Sequence, residues 1–416
     1  MATSTTASPV LDRLRAARTG SRRLARLGTA EKDAALDAIA DALDRRTGEI
    51  IEANALDLDA GREAGLSPAL IDRLLLDEQR IAAIAAQVRD IAALSDPVGE
   101  VLEGGRRPNG LDITKVRTPL GVVAIVYEAR PNVTIDAAAL CLKSGNACVL
   151  RGSSSAAHSN AVLAAIAAEH APEGAIQLIA GGGREELSEL ATADGLVDLL
   201  IPRGGEGLKQ ALTAVATVPM IFAASGNCHV YVDEHADPEM ALDIIVNAKC
   251  QRPGVCNAAE TLLVHRAIAD SWLPRAAERL RAEGVELRGS AAAREIVPEI
   301  AEATADDFAT EFLALVLAVE VVDDAEAAIE HIDRYGSGHS EAIITGSYGA
   351  ARAFELGVDA ACVYVNASTR FTDGGEFGFG AEIGNATQKL HARGPIGLRE
   401  LCSFKYVVRG DGQVRA

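Results

Sequence analysis

Along residues 8–98 the apolar positions recur at helical spacing. In "TAEKDAALDAIADALDRR", Leu36, Ile39 and Leu43 stand three and four apart and line one helix face. In "SPALIDRLLL", Ser67 is placed to cap and Pro68 fits the first turn, so another helix is predicted there. From residue 119 the pattern changes. "GVVAIVYE", "NACVLR", "AIQLIA", "LVDLLIP" and "VPMIFAA" are near-continuous apolar runs separated by helix-like stretches. Such runs predict parallel strands covered on both faces. "HVYVD" and the helix "DPEMALDIIVNAKC" follow. Beyond Cys256 the alternation resumes with strands "AETLLVH", "FLALVLAVEVV", "EAIITG" and "ACVYVN", a second α/β unit.

Two stretches stand outside this alternation. Residues 99–118 read either as a protruding hairpin with its turn at "RPNG" or as a long loop. The tail "FTDGGEFGFGAEIGNATQKLHARGPIGL" is glycine-rich and non-periodic, and "CSFKYVVRG" after it reads as a strand. A loop of that length has to be held, by a cleft wall or a subunit contact, and the strand offers an edge to a partner.

Composition narrows the function classes. At 416 residues, 49% of them hydrophobic, the chain predicts two or more folded domains. A formal charge of −19 argues against non-specific binding to nucleic acid or an anionic membrane. The first twenty residues have no signal-peptide core, and no segment offers the roughly 20 unbroken apolar residues of a membrane helix. Seven scattered cysteines do not form a disulfide scaffold and fit the reducing cytoplasm.

The candidate chemistry centres on "KCQRPGVCNAAE". Cys256 lies in a polar, glycine-containing turn before an apolar strand, with Arg252 and main-chain N–H groups available to favour a thiolate. It reads either as a nucleophile or as a small buried hydrophobe. Cys250 ends an apolar helix and reads as packing, and the C-x5-C spacing is not a zinc pair. Asn132 in "YEARPNVTIDAA" either donates to a developing oxyanion or caps the following helix. "VLRGSSSAAHSNAVL" and "LLIPRGGEGLKQ" each run from a strand through an arginine and small residues into a helix. Both offer N–H groups to a cofactor phosphate, or else are plain caps. Neither is a G-x-G-x-x-G fingerprint, nor is "AGGGREE". Ser368, Thr369 and Arg370 follow a strand and either grip a carboxylate or form a solvent-facing loop. The histidines assemble no triad with Cys256, and His229 reads as core.

Taken in order, "VYEARPNVTIDAAALCLKSGNA", "RGSS", "IPRGG", "CHVYVD", "CNAAETLLVH", "YGSGHSEAI", "VYVNASTRFTDGGEFGFGAEIG" and "QKLHARGPIGL" resemble the gamma-glutamyl phosphate reductase family of the aldehyde dehydrogenase superfamily. The resemblance covers nearly the whole chain. It implies an α/β, aldehyde dehydrogenase-like fold: two Rossmann-like three-layer α/β/α lobes plus an oligomerisation arm. The cofactor-binding domain would be 1–103 and 119–235 with part of 368–390, the catalytic domain 236–367, and the arm 104–118 with 391–416. The implied reaction, in proline biosynthesis, is NADPH-dependent reduction of L-glutamyl 5-phosphate to L-glutamate 5-semialdehyde with release of phosphate, through a cysteine thioester.

On this resemblance Cys256 is the nucleophile and Asn132 the oxyanion donor. Arg130, Ser368, Thr369 and Arg370 bind substrate. Arg151, Gly152, Ser153, Ser154, Arg203, Gly204, Gly205 and Glu311 bind the cofactor, with Arg151 and Ser153 at the adenosine ribose and Glu311 at the nicotinamide ribose. No metal, nucleic acid or membrane is implied. A cytoplasmic homo-oligomer functionally coupled to glutamate 5-kinase is. Hydrolytic relatives carry a water-activating glutamate where this chain reads "IFAASGN", with no carboxylate. Two departures from the family are an alanine for a histidine near 223, and "GNAT" for "GIST". The competing classes are a hydrolytic NAD(P)-dependent aldehyde dehydrogenase and a non-catalytic binding protein of the same fold.

Overall fold

Local caps and apolar stripes set the first helices. In the computed structural model, which describes residues 8–181, 183–222 and 225–415, Ser8 accepts hydrogen bonds from Val10 and Leu11 to start α1 (Pro9–Leu24). α2 (Thr29–Arg45) buries Leu36, Ile39 and Leu43, as the spacing predicts. α3 (Thr47–Glu63), α4 (Pro68–Leu74) and α5 (Glu78–Ala93) complete the helical segment, and Ser67 caps α4 by accepting from Leu70 N. Asn54 on α3 is buried and fully engaged: its amide donates to Leu74 O and Ser159 Oγ and accepts from Leu76 N.

After β1 (Val101–Arg106) and β2 (Asp112–Pro119) the chain alternates: β3 (Val122–Tyr127), α6 (Asn132–Lys143), β4 (Ala147–Arg151), α7 (Ala157–His170), β5 (Ile176–Leu178), α8 (Arg184–Ala191), β6 (Leu199–Arg203) and α9 (Glu206–Thr213). The four strands from β3 to β6 form a parallel sheet in the order β5-β4-β3-β6. Every residue of β3 and β4 is buried, because helices cover both faces and leave no solvent side to mark with polar residues. The strand expected at "VPMIFAA" reduces to one parallel bridge between Met220 and Leu200. Pro219 accepts from Leu200 N but has no N–H to donate.

The second compact unit spans residues 224–377 and 385–395. Its elements are β7 (Cys228–Val232), α10 (Pro238–Cys250), β8 (Ala259–His265), α11 (Arg266–Ala282), β9 (Glu286–Gly289), α12 (Ala291–Ile296), β10 (Ala301–Glu302), α13 (Ala305–Phe308), β11 (Val316–Val322), α14 (Ala325–Tyr335), β12 (Ser340–Ile344), α15 (Tyr348–Gly357), β13 (Cys362–Val365), β14 (Asn385–Ala386) and β15 (Gly394–Pro395). Seven strands form a parallel sheet, β10-β9-β11-β8-β7-β12-β13. The boundary expected at 235/236 therefore falls earlier, since β7 hydrogen-bonds to β8 and β12 and belongs to this sheet.

The first unit ends with β16 (Cys402–Arg409), which pairs antiparallel with β2 along its whole length; β1 pairs with the other edge of β2. Residues 99–118 are thus a hairpin, turning at Arg107–Gly110, where Gly110 adopts φ 88° and donates to Arg107 O. The three-stranded sheet takes in residues 101–103 and 119, beyond the arm limits expected from sequence. β16 leaves Phe404, Tyr406 and Val408 exposed. No helix among the described residues is long and apolar enough to cross a membrane.

Replacing Asn54 by Ala would strand Leu74 O and Leu76 N, both held by that one buried side chain. Two lost buried partners correspond to about 2–4 kcal/mol. Urea unfolding of Asn54→Ala should show that loss, whereas a change below about 0.5 kcal/mol would mean the exposed-surface case applies.

Candidate active site

Cys256 lies in the turn between α10 and β8, half-buried. Its main chain is gripped from two directions. Gly226 approaches so closely that a Cβ there would lie 1.5 Å from Cys256 O. Cys228 Sγ, at the start of β7, donates to the same carbonyl at 3.2 Å. Gly226 N in turn donates to Glu311 Oε1 at 2.7 Å, and burial raises the Glu311 carboxyl above its ordinary range. The next residue, Asn257, donates from its amide to Thr372 O at 2.9 Å and Arg370 O at 3.3 Å, and its own carbonyl accepts from Thr369 Oγ1 at 2.8 Å. The thiol is thus placed by main-chain contacts on both sides.

Under the turn runs a fully buried ion pair, Lys249 Nζ to Glu260 Oε2 at 2.5 Å, joining the end of α10 to the start of β8. Glu260 Oε1 accepts from Leu313 N, and Leu313 itself is held at φ 53°, an uncommon conformation for a branched side chain. Burial raises Glu260 to about 7 and lowers Lys249, while each partner's charge opposes that drift. Arg370 interacts electrostatically with Cys256. Burial lowers the basicity of its guanidinium, Arg252 adds to that by repulsion, and Cys256 acts in the opposite sense. Its Nε donates to Gln251.

The expected three-residue grip on a carboxylate does not form as one set. Thr369 is fully buried and spent on Asn257 O, and Ser368 caps the short turn by accepting from Arg370 N. Arg370 is the member whose charged group remains partly exposed. A buried polar chain backs this region: Cys228 Sγ to His339 Nδ1 at 3.9 Å, then Ser340, Thr372 and Tyr364 through hydroxyl contacts of 2.6–2.8 Å. His229 is core, as expected, with Nδ1 2.9 Å from Glu341 Oε2. His331 packs between Phe308 and Tyr335. No three His, Cys, Asp or Glu side chains among the described residues could hold a metal together.

In the first unit the candidates cluster at the carboxyl ends of β3, β4 and β6. Asn132 is the first residue of α6; Pro131 holds the cap position, and the Asn132 amide instead donates to Asp136 Oδ2 at 2.9 Å. Capping is therefore not its role. Arg130 is exposed just before it, after Ala129 at φ 45°. Arg151 ends β4 with its Nε shut off from solvent and without a protein acceptor among the described residues. Gly152 leaves no room for a side chain against Asn160, Ser153 bridges Ala129 N and Ser155, and Ser154 is exposed.

The helix N-termini expected to offer free N–H groups are already engaged. Asp57 accepts from His158 N and Ser159 N at the start of α7, and Glu128 accepts from Gly205 N before α9. Anions suit helix N-termini, and here the chain supplies its own. Exposed Gly204 closes on that second carboxylate, where a Cβ would lie 2.5 Å from Glu128 Oε2, and Arg203 O accepts from Glu128 N.

Comparison with known proteins places this geometry. The model of the aldehyde dehydrogenase family matches residues 2–308. A gamma-glutamyl phosphate reductase of Moorella thermoacetica is 58% identical over 404 residues, covering 96% of this chain and 97% of that protein. The chain belongs to the aldehyde dehydrogenase family, among the gamma-glutamyl phosphate reductases. The crystal structure of gamma-glutamyl phosphate reductase from Thermotoga maritima superposes with a TM-score of 0.97 at 47% identity, covering 98% of this chain and all of that one. A glyceraldehyde-3-phosphate dehydrogenase of Methanocaldococcus jannaschii, complexed with NADP, shares the fold at TM-score 0.68 and 16% identity, covering 97% and 94%.

Aldehyde dehydrogenases use nicotinamide cofactors. Of the two departures from the family pattern, the alanine near 223 lies outside the described residues. "GNAT" is described: Asn385 and Ala386 form β14, paired with β15. Sequence reasoning missed Gly226, Asp136, Cys228 and the Lys249–Glu260 pair. A charge inside an apolar helix or strand was the available signal for the last.

Two outcomes follow from this packing. Gly226→Ala forces a methyl into the Cys256 carbonyl, and a shift of about 1 Å at a reacting group typically costs about a hundredfold in turnover; a variant within twofold of the parent would show that this contact does not set the thiol's place. His339 is buried, and burial pushes its imidazole down to about 4, against about 6.5 in an unfolded chain. The folded pKa is depressed, so the stability it contributes is present above about pH 6.5 and is lost as pH falls towards 4, about 3 kcal/mol in all. Denaturant unfolding between pH 7.5 and 4.5 should be less steep in His339→Asn; an unchanged slope would count against the buried neutral imidazole.

Proposed function

We propose that this chain reduces L-glutamyl 5-phosphate to L-glutamate 5-semialdehyde and phosphate, with NADPH as reductant, in proline synthesis from glutamate. The observation that supports this reading most is 58% identity over 404 residues with a gamma-glutamyl phosphate reductase, joined to a thiol held by its own main chain beside Arg370. Cys256 attacks the acyl phosphate carbon; the C–S bond forms, the C–O bond to phosphate breaks, and a thioester remains. NADPH supplies the hydride that reduces the thioester carbonyl carbon. The resulting alkoxide re-forms the carbonyl and expels the Cys256 thiolate, releasing the aldehyde.

Oxygen carries negative charge in both additions. The Asn132 amide and the Cys256 main-chain N–H are assigned to it, and a donor fixed in advance acts most where charge develops. Arg370 faces the substrate's carboxylate or phosphate with a fork suited to either. Arg130 is assigned to the substrate as well. Arg151, Gly152, Ser153 and Ser154 are assigned to the nucleotide. The buried Nε of Arg151 fits that assignment, since it has no acceptor among the described residues and a ribose or phosphate oxygen would supply one. Arg203, Gly204, Gly205 and Glu311 complete the cofactor assignment, with Glu128 and Gly226 N as the groups a ligand there competes with or shares. Residues 221–227 contain no carboxylate to activate water against the thioester. The sheet of β1, β2 and β16 is assigned to oligomerisation. The short life of acyl phosphates in water fits functional coupling to glutamate 5-kinase in the cytoplasm.

The test is the reverse assay: glutamate semialdehyde, phosphate and NADP+, followed by reduced cofactor. Cys256→Ala should give no turnover with cofactor affinity retained. Asn132→Ala should lose about a hundred- to a thousandfold in kcat. Equal turnover of parent and Cys256→Ala would reject the nucleophile, and phosphate-independent oxidation of simple aldehydes would favour a hydrolytic enzyme instead.

A further inference from the structure

The reading above gives Asn132 one task, donating an N–H to an oxyanion. A carboxamide held only by packing can turn over and present its oxygen instead. What holds this one is on the same face of α6, one turn later. Asp136 Oδ2 accepts from Asn132 Nδ2 at 2.9 Å. A carboxylate only accepts, so the amide must offer it the NH2 end, and the second N–H of that nitrogen is left for another acceptor.

The other oxygen, Asp136 Oδ1, is closed off from solvent and has no hydrogen-bond partner among the described residues. A carboxylate oxygen shut off from solvent and left unsatisfied is costly for packing alone, where a leucine or alanine would be cheaper. We propose that Asp136 is a positioning residue of the reaction: it locks the Asn132 carboxamide with its nitrogen towards the developing oxyanion. This rests on the assignment of Asn132 as that donor.

The lock depends on ionisation. Burial raises the Asp136 carboxyl to about 6, with the Asn132 hydrogen bond and the Arg203 charge on β6 opposing the rise. At the far end of α6, Lys143 engages Asp33 of α2 and Ala92 O of α5, and Lys32 of α2 engages Asp96. A protonated Asp136 can donate as well as accept, so it tolerates the amide in either orientation. Lock and donor then weaken together as pH falls through about 6.

The experiment compares kcat and KM of the parent, Asp136→Asn, Asp136→Ala, Asn132→Ala and the double alanine variant from pH 5 to 8, with thermal unfolding as a control. Asp136→Asn keeps the shape but not the charge. Its deficit should be about tenfold in kcat at pH 8 and should close towards pH 5, with KM little changed. Asp136→Ala should lower kcat further, and should cost nothing more in the Asn132→Ala background.

A parent to Asp136→Asn ratio that stays flat with pH overturns the proposal. So does an Asp136→Ala kcat within twofold of the parent while Asn132→Ala is crippled. If Asn132→Ala itself keeps parental turnover, the oxyanion assignment fails first and takes this inference with it. If Asp136→Ala does not fold, the pH dependence of the Asp136→Asn ratio decides alone.

Discussion

In the unit that carries the thiol, one close approach of main chain to main chain governs the rest: Gly226 against the carbonyl of Cys256. There is no room there for a methyl group. The contact joins the segment entering β7 to the turn entering β8, and β7 and β8 are adjacent parallel strands. Sheet register therefore sets where the cysteine stands. Glu311 then fixes Gly226 by its N–H, and Cys228 fixes the same carbonyl from beneath. The residue is thus positioned through its own backbone, by contacts to its carbonyl.

Buried charge is the second organising device. Lys249 and Glu260 are both fully enclosed, and each would be untenable alone. Together they bridge the two elements that flank the cysteine turn, so their cost is borne where geometry matters. Lys143 and Lys32 do similar work in the first unit, tying α6 and α2 to carboxylates and main-chain carbonyls. There, too, helix N-termini that looked like open phosphate sites carry the protein's own carboxylates, Asp57 and Glu128. The nucleotide reading consequently leans on Arg151, whose buried Nε has no acceptor among the described residues, more than on the helix dipoles.

Much of the fold was legible in the chain. Apolar runs of period one marked strands buried on two faces, and β3, β4 and β8 are buried throughout. Stripes three and four apart marked helices, and Ser67 and Pro68 marked where α4 begins. "RPNG" marked the hairpin turn. Misreadings arose where a local signal had more than one outcome. "VPMIFAA" had strand composition but a proline where the ladder needed a donor. For Asn132, read as either a cap or an oxyanion donor, Pro131 took the cap and Asp136 took the amide. Thr369 had the polarity of a ligand-binding residue but lies buried, spent on Asn257 O.

The sequence by itself determined the alternation of strands and helices, the two α/β runs, the singling out of Cys256 and Asn132, and the family. These follow from period, composition and residue order, all of which are local or linear. Only the tertiary structure decided which groups are already engaged: that Glu311 holds Gly226, that Lys249 meets Glu260, and that β7 sits between β8 and β12. Those pairings depend on contacts between residues as much as 112 positions apart, as between His229 and Glu341. A hydrogen bond is set by distance and direction in space, to which one-dimensional spacing beyond a helix turn or a strand pair gives no measure.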